Sequence, residues 1–458
     1  MEDALNPSLE RKLGLFPVTN IVIANMIGAG IFTTSGLLMT DLEDPVLMVL
    51  LWAVGGILAL CGALSYGALG AAIPQAGGEY IFLSKLFHPA IGFLSGWVSF
   101  VVGFSAPIAA SSIGFSEYFS RAFPQWLGWS QSLGLNDPMM AKKILSIIVI
   151  LLFTLIHLRG IEFGARVQNY LTILKVGLIL GLLLLGFLWG EGEFGHFAEG
   201  RSLALDFGGW KTIGLSLMWI MFAYSGWNAS TYIGSEVRDP SRNLPRSLIL
   251  GTGVVTLLYL SLNVLFVYAT RPGDMKGVIS IAGLAMGSLF GGSIETVFSL
   301  FISFALFSSL SAFIILGPRV YFSMAKDGYF FKSISEIHPR FLVPAKSLLL
   351  QAAISVIMVL SGTFDQVLTY MGFSLGIFPI VAILGVFRLA PSERTKRLLP
   401  GYPVVPLVYV LAGLLILILA FFERPTESSI ALLTVLIGIP VFFLFKRRYH
   451  DTMLPQSH

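Results

Sequence analysis

Residues 20–38 read NIVIANMIGAGIFTTSGLL, an apolar run with Gly28 and Gly30 near its middle. Crossing a bilayer takes roughly 20 predominantly apolar residues, and this run belongs to such a stretch. Its centre is the part least suited to a regular helix. Glycine costs about 1 kcal/mol in a helix interior, and inside a membrane every backbone group freed by a break must find a partner in the protein. A second run, residues 217–234, reads LMWIMFAYSGWNASTYIG and carries Ser225 and Gly226 near its own middle. Tyr224, Trp227, Asn228, Ser230 and Thr231 crowd around them. One such run alone reads as close helix packing, because small residues let backbones approach where lipid gives no hydrophobic push. Two in corresponding places, with polar neighbours, read as two broken helices.

The rest of the chain supports a bilayer setting. Of 458 residues, 55% are hydrophobic and 12% charged, about half the charged share of a soluble domain. Twelve apolar segments follow one another, at 15–40, 46–71, 90–119, 142–158, 166–189, 211–235, 247–270, 294–324, 345–361, 365–388, 403–422 and 428–446. The connections between them are too short to hold a soluble domain. With the N-terminus placed inside, twenty Lys and Arg fall on or near the cytoplasmic side and eight outside, and Lys175 lies within a span. An excess of cytoplasmic Lys and Arg is the usual orientation signal, so both termini are expected in the cytoplasm. The net charge of +4 is read the same way, not as affinity for nucleic acid. The N-terminal MEDALNPSLERKLG lacks the basic, apolar, small-residue pattern of a signal peptide.

The two breaks lie five segments apart, which is the pattern of an inverted-repeat transporter. The division this predicts is a cytoplasmic N-terminal segment (1–14), a first repeat of helices 1–5 (15–189) and an extracellular loop (190–210). A second repeat of helices 6–10 (211–388), helices 11–12 outside the repeat (389–446) and a cytoplasmic tail (447–458) complete it. The chemistry of a break is direct. A half-helix N-terminus presents free N–H groups and the positive end of a dipole, which suit a carboxylate. A half-helix C-terminus presents free carbonyls, which suit an ammonium. A zwitterionic amino acid needs both.

At these residues the chain resembles the amino acid–polyamine–organocation superfamily, and most closely its L-type amino acid transporter branch, as a bacterial member. Ile27-Gly28-Ala29-Gly30-Ile31-Phe32 is similar to the family's helix 1 break, and Pro74-Gln75-Ala76-Gly77-Gly78-Glu79-Tyr80 to its loop before helix 3. Phe222-Ala223-Tyr224-Ser225-Gly226-Trp227-Asn228, followed by Glu236 and residues 239–246 (DPSRNLPR), is the most specific match. Pro318-Arg319-Val320-Tyr321 with residues 324–328 (MAKDG) resembles the close of helix 8. The resemblance implies an all-α polytopic membrane protein of twelve helices. It has a LeuT-like five-plus-five inverted repeat, two extra helices, alternating access and a central amino acid site. It further implies that Gly28, Ala29 and Gly30, between Ile27 and Ile31, hold the substrate carboxylate. Phe222, Ala223 and Ser225 offer carbonyls to the ammonium, with the Phe222 ring as a gate. Trp227 and Asn228, beside Gly226, line the side-chain pocket, and Tyr259 of helix 7 occupies a substrate-site position. Two departures bear on the substrate. Ala29 stands where serine is commoner in the family, and Ser225 where glycine is commoner.

Lys175 lies mid-span in LTILKVGLILG, about ten residues from either end of its segment. An intramembrane lysine costs about 3 kcal/mol on insertion scales, and it is too deep to snorkel. Its amine is expected to meet carbonyls of broken helix 1 and hydroxyls of helix 8, where Ser303, Ser308, Ser309 and Ser311 are candidates. The resemblance implies that this amine stands where sodium-coupled relatives bind sodium, hence sodium-independent transport.

No acidic residue sits mid-span in segments 1, 3, 6, 8 or 10; Glu117, Glu236, Glu295 and Asp365 fall toward ends. Neutral amino acids of small or medium size are therefore expected as substrates, carried by exchange. A proton-coupled symporter and a cationic amino acid or polyamine carrier are the alternatives within the class. A non-transporting amino acid receptor is the alternative outside it. No nucleophile–base or metal constellation appears, so neither enzymatic activity nor a cofactor or metal is expected. The six histidines are read as solvated groups. The partners expected are the amino acid and membrane lipid. The only cysteine is Cys61, and residues 120–141 contain none. The resemblance implies that eukaryotic relatives bond a heavy chain through a cysteine there, so no disulfide-linked heavy chain is expected and a prokaryotic inner membrane is the expected setting.

Overall fold

Asp44, Asp137 and Asp206 each begin a helix in the same way. In the computed structural model their carboxylates accept the backbone N–H of Leu47, Met139 and Gly209 at 2.8–2.9 Å, satisfying donors that a helix start leaves free. Pro45 and Pro138 occupy the first helical position behind two of them. The structure describes residues 11, 13–132, 134, 136–200, 202–338, 341, 343–361, 364–389 and 399–453. Lys12, Arg201, Arg340, Arg394, Lys396 and Arg397 of the orientation count, and most of the segments 1–14 and 447–458, lie outside the described residues or side chains, as do the side chains of Glu295 and Asp365.

The chain is helical. α1 (Leu15–Met26) and α2 (Ala29–Leu42) form the first span, and α3 (Pro45–Ala72) the second. A short α4 (Glu79–Leu86) leads to α5 (Pro89–Val98), which a π-turn at Ser99–Gly103 joins to α6 (Ser105–Ala122). Then come α7 (Gln125–Ser132), α8 (Pro138–Leu158), α9 (Ile161–Trp189), α10 (Phe207–Ala223), α11 (Pro240–Ala269), α12 (Pro272–Met275), α13 (Ile281–Phe290) and α14 (Gly292–Lys326). The last four are α15 (Ala345–Ser361), α16 (Phe364–Leu384), α17 (Val404–Glu423) and α18 (Pro425–Met453).

Among the described residues, ten helical stretches are long and apolar enough to cross a membrane. The chain is thus an integral membrane protein. Two of the twelve apolar segments fall short of that length. α10 has 17 residues because the helix stops at Ala223, and the second half of segment 211–235 is two 3₁₀ turns, Ala229–Tyr232 and Gly234–Glu236. α15 also has 17 residues. The break in segment 6 is therefore a change of helix type, not a gap between two α-helices.

Burial sorts the helices into a centre and a rim. Most of the apolar stretch of α5–α6 and of α14 is buried, whereas most of that of α18 is not. Leu151 and Leu155 of α8, Leu184 of α9, Leu411 and Ile418 of α17 and Phe443 of α18 point outward, as lipid-facing surface requires. α1 packs against α11 and α14, and α11 lies along α3. The 3₁₀ segment after α10 is tied at its far end by the Arg319–Glu236 ion pair at 3.1 Å, and by Leu13 N donating to Glu236 O at 2.9 Å.

The two breaks touch. A Cβ on Gly30 would lie 2.6 Å from Ala223 Cα, and one on Gly226 would lie 2.8 Å from the carbonyl carbon of Asn25. Gly226 also has φ +98°, a conformation that costs an L-residue about 1–2 kcal/mol. Gly226→Ala should therefore lower the thermal unfolding temperature in detergent. Gly253→Ala is the control, because its Cβ meets nothing within 4 Å inside α11. It should leave stability unchanged or raise it by up to about 1 kcal/mol. Equal behaviour of the two variants would remove the close approach as the reason for the glycine.

Candidate functional site

α1 ends at Met26, and its last carbonyls point toward the break without i+4 partners. Side chains from two other helices meet them. Lys175 of α9, fully buried, donates from Nζ to Ala24 O at 3.0 Å and to Ile27 O. Tyr259 of α11 reaches Met26 O with its hydroxyl and lies 3.1 Å from Ala223 O, the last carbonyl of α10. Cationic groups suit a helix C-terminus, where the dipole is negative. One lysine and one tyrosine thus close the carbonyl end of α1 and couple it to the end of α10.

The serines named for helix 8 lie close by with other partners. Ser308 Oγ joins Thr172 Oγ1 and Gln168 Nε2 of α9, each at 3.2 Å. Ser309 Oγ lies 3.3 Å from Ser111 Oγ of α6, and its side chain backs Gly28. Ser311 takes His157 Nε2 at 2.9 Å, and Ser303 bonds Leu300 O. The nitrogen of Lys175 bonds the α1 carbonyls, and the serine network holds α9 to α14 beside it. His157 and His196 are both buried, and His196 Nδ1 lies 3.1 Å from Val267 O. The reading of all six histidines as solvated is therefore corrected. His157 sits at a helix end, but that end packs on α14.

A cavity of about 100 Å³ opens beside the break in α10. Phe222, Ser225, Gly226, Trp227 and Asn228 lie on its wall. Ile27, Gly28, Ala29, Gly30, Ile31, Ala223 and Tyr259 do not. They pack behind it, buried, where the breaks meet. Trp227 stacks edge-on to Tyr66 with ring centroids 4.8 Å apart, which fixes one side of the cavity. A second, larger cavity of about 390 Å³ reaches Trp219, one turn before Phe222 on α10, and Asp41, Glu117, Lys142 and Arg424 border it. A single turn of α10 thus separates two cavities.

Sequence reasoning missed much of the smaller cavity's wall, four residues of which are instructive. Ser99 and Gly103 come from the π-turn, whose extra residue leaves no mark in the hydrophobic pattern. Asn25 comes from the last turn of α1. Glu79, the first residue of α4, places a buried acid beside the site although none sits mid-span in segments 1, 3, 6, 8 or 10. Its Oε1 accepts Tyr66 Oη at 2.9 Å and Asn228 Nδ2 at 2.8 Å. Burial pushes its carboxyl up to about 7, against donors that favour the charged form. The signal available was Gly77-Gly78 directly before it. Both take positive φ and turn the chain so that Glu79 points inward.

Helices able to span a bilayer, two touching backbone breaks and a polar cavity beside them define a membrane transporter. The profile of the amino acid permease family matches residues 13–442, and the chain belongs to that family, within the amino acid–polyamine–organocation superfamily, whose members are transporters and not enzymes. The chain is 28% identical over 446 residues to the serine/threonine exchanger SteT of Bacillus subtilis, covering 96% of this chain and 98% of that protein. It is 26% identical to the b(0,+)-type amino acid transporter 1 of Mus musculus, covering 96% and 88%. It is 27% identical to the Asc-type amino acid transporter 1 of Homo sapiens, covering 95% and 82%.

Two predictions follow from the contacts. Lys175→Met keeps the length and removes the donor, leaving the Ala24 and Ile27 carbonyls unpaired at about 1–3 kcal/mol each. It should lower thermal stability in detergent and abolish uptake together, and a stable, active variant would show that the amine is dispensable. Glu79 has a folded-state pKa raised from 4.5 to about 7, so its proton stabilises the fold. That contribution is complete below about pH 4.5 and is lost as pH rises through about 7. Glu79→Gln, which stays neutral, should match wild type in unfolding temperature near pH 4.5 and exceed it above pH 7. A difference that does not change with pH would contradict this.

Proposed function

We propose that the protein carries small or medium neutral L-amino acids across the cell's inner membrane by sodium-independent exchange. Its architecture would be twelve spans, ten of them in a five-plus-five inverted repeat, with both termini in the cytoplasm. The observation that carries the reading is the amine of Lys175 held on the carbonyls of the α1 break, next to the α10 break and its cavity. A fixed amine there supplies the carbonyls with the donors they lack. The touching breaks support a site between α1 and α10, with the N–H groups at the start of α2 turned to a carboxylate. Phe222 and Trp219 then bound the site on the side of the larger cavity. The relatives support amino acid transport, and one of them is named an exchanger of serine and threonine. Residues 120–141 contain no cysteine, which favours a carrier without a disulfide-linked heavy chain.

Glu79 favours a second reading. A titratable carboxyl on the cavity wall suits a proton-linked carrier, or one that accepts a cationic side chain.

Proteoliposomes loaded with unlabelled alanine, serine or threonine test both. Uptake of labelled alanine should rise several-fold with internal substrate and stay unchanged when choline replaces sodium. Uptake indifferent to internal substrate would reject exchange, and uptake driven by a sodium gradient would reject sodium independence. Accumulation driven by an inward proton gradient would favour the second reading.

A further inference from the structure

Asn25 is 2% exposed and lies on the wall of the smaller cavity, in the last turn of α1. Its Nδ2 donates to Ile21 O at 2.9 Å. That bond fixes the amide, because only the nitrogen end can donate to a carbonyl. Asn25 Oδ1 is buried and has no hydrogen-bond partner among the described residues. A buried acceptor left unpaired is costly, and a site that holds one favours ligands bringing a donor over ligands of the same shape without one.

The neighbours of this oxygen narrow the donor. The carbonyls of Ala24, Met26 and Ile27, next to Asn25 in the chain, already receive Lys175 and Tyr259. Phe222, Gly226 and Phe313 bound the cavity with it and offer no side-chain acceptor, whereas Glu79 and Asn228 on the same wall are bonded to each other and Ser225 adds a hydroxyl. An ammonium brings three N–H donors and fits a cluster of acceptors, whereas a single unpaired amide oxygen fits one O–H. From this geometry we infer that Asn25 is a specificity-determining residue that selects amino acids with a side-chain hydroxyl, accepting a hydrogen bond from that hydroxyl at Oδ1. The inference rests on the reading of the site as an amino acid carrier and names its substrate class.

Threonine and valine have nearly the same shape and differ by the hydroxyl, so competition for labelled alanine uptake in proteoliposomes isolates the effect. Wild type should be inhibited by threonine about tenfold more strongly than by valine, the size expected of one net hydrogen bond near its upper range. Asn25→Val should erase this ratio. Asn25→Thr has the same shape as that variant, but its hydroxyl can donate to Ile21 O, as Thr33 does to Ala29 O at 2.8 Å, and still turn a lone pair to the cavity. It should keep most of the ratio. If Asn25→Val does not reach the membrane, Asn25→Ala replaces it in the same comparison. Equal inhibition by threonine and valine in wild type overturns the inference, as does a loss of the same factor for both in Asn25→Val, which would make the α-ammonium the partner. A wild type that takes up no amino acid rejects the carrier reading instead.

Discussion

The break in α1 is the constraint on which the remainder depends. A carbonyl that loses its i+4 partner inside a membrane protein has no bulk water to turn to, and leaving it unpaired costs several kcal/mol. Three such groups, on Ala24, Met26 and Ile27, are met by Lys175 from α9 and Tyr259 from α11. Each donor must be held in place, which ties further helices to the break. α9 is fixed to α14 by Gln168, Thr172 and Ser308, and α11 lies along both α1 and α3. One irregular stretch of backbone thereby sets the relative positions of five helices.

The second break is built against the first. Gly30 rests on Ala223 and Gly226 on Asn25, so neither half-helix can shift far without the other. The polar cavity results from this contact. Where α10 gives way to 3₁₀ turns, Ser225, Trp227 and Asn228 turn off the helix line, and Glu79 and Tyr66 close around Asn228 from α4 and α3.

Gly28, Gly30, Ser225, Gly226 and Lys175 were legible because each breaks a local rule. Glycine pairs interrupt apolar helices and a lysine sits where charge is expensive, and such violations gather at functional sites. Asn25 was not legible, because nothing in the pattern separates it from Asn20 five residues earlier. In the fold Asn20 bonds Asn169 near the surface while Asn25 faces the cavity. Glu79 falls outside the apolar segments, at the start of α4, and the turn at Gly77-Gly78 carries it inward. The 3₁₀ end of segment 6 escaped for a related reason. Composition marks where an α-helix fails and leaves open what replaces it.

The polar groups of the smaller cavity also bear on why a carrier built this way would exchange substrates. A carrier that returns empty must close around its own unfilled site. An empty site leaves Asn25 Oδ1 buried without a donor, and an unsatisfied buried acceptor is penalised in proportion to how dry the site becomes. A bound amino acid with a donor relieves that penalty at the moment of closure, so the loaded carrier crosses more readily than the empty one. The carbonyls of α1 add nothing to this difference, because Lys175 and Tyr259 meet them whether or not substrate is present. Coupling of transport to occupancy then rests on the few groups that only the substrate can satisfy, which argues for exchange over free return of the empty carrier.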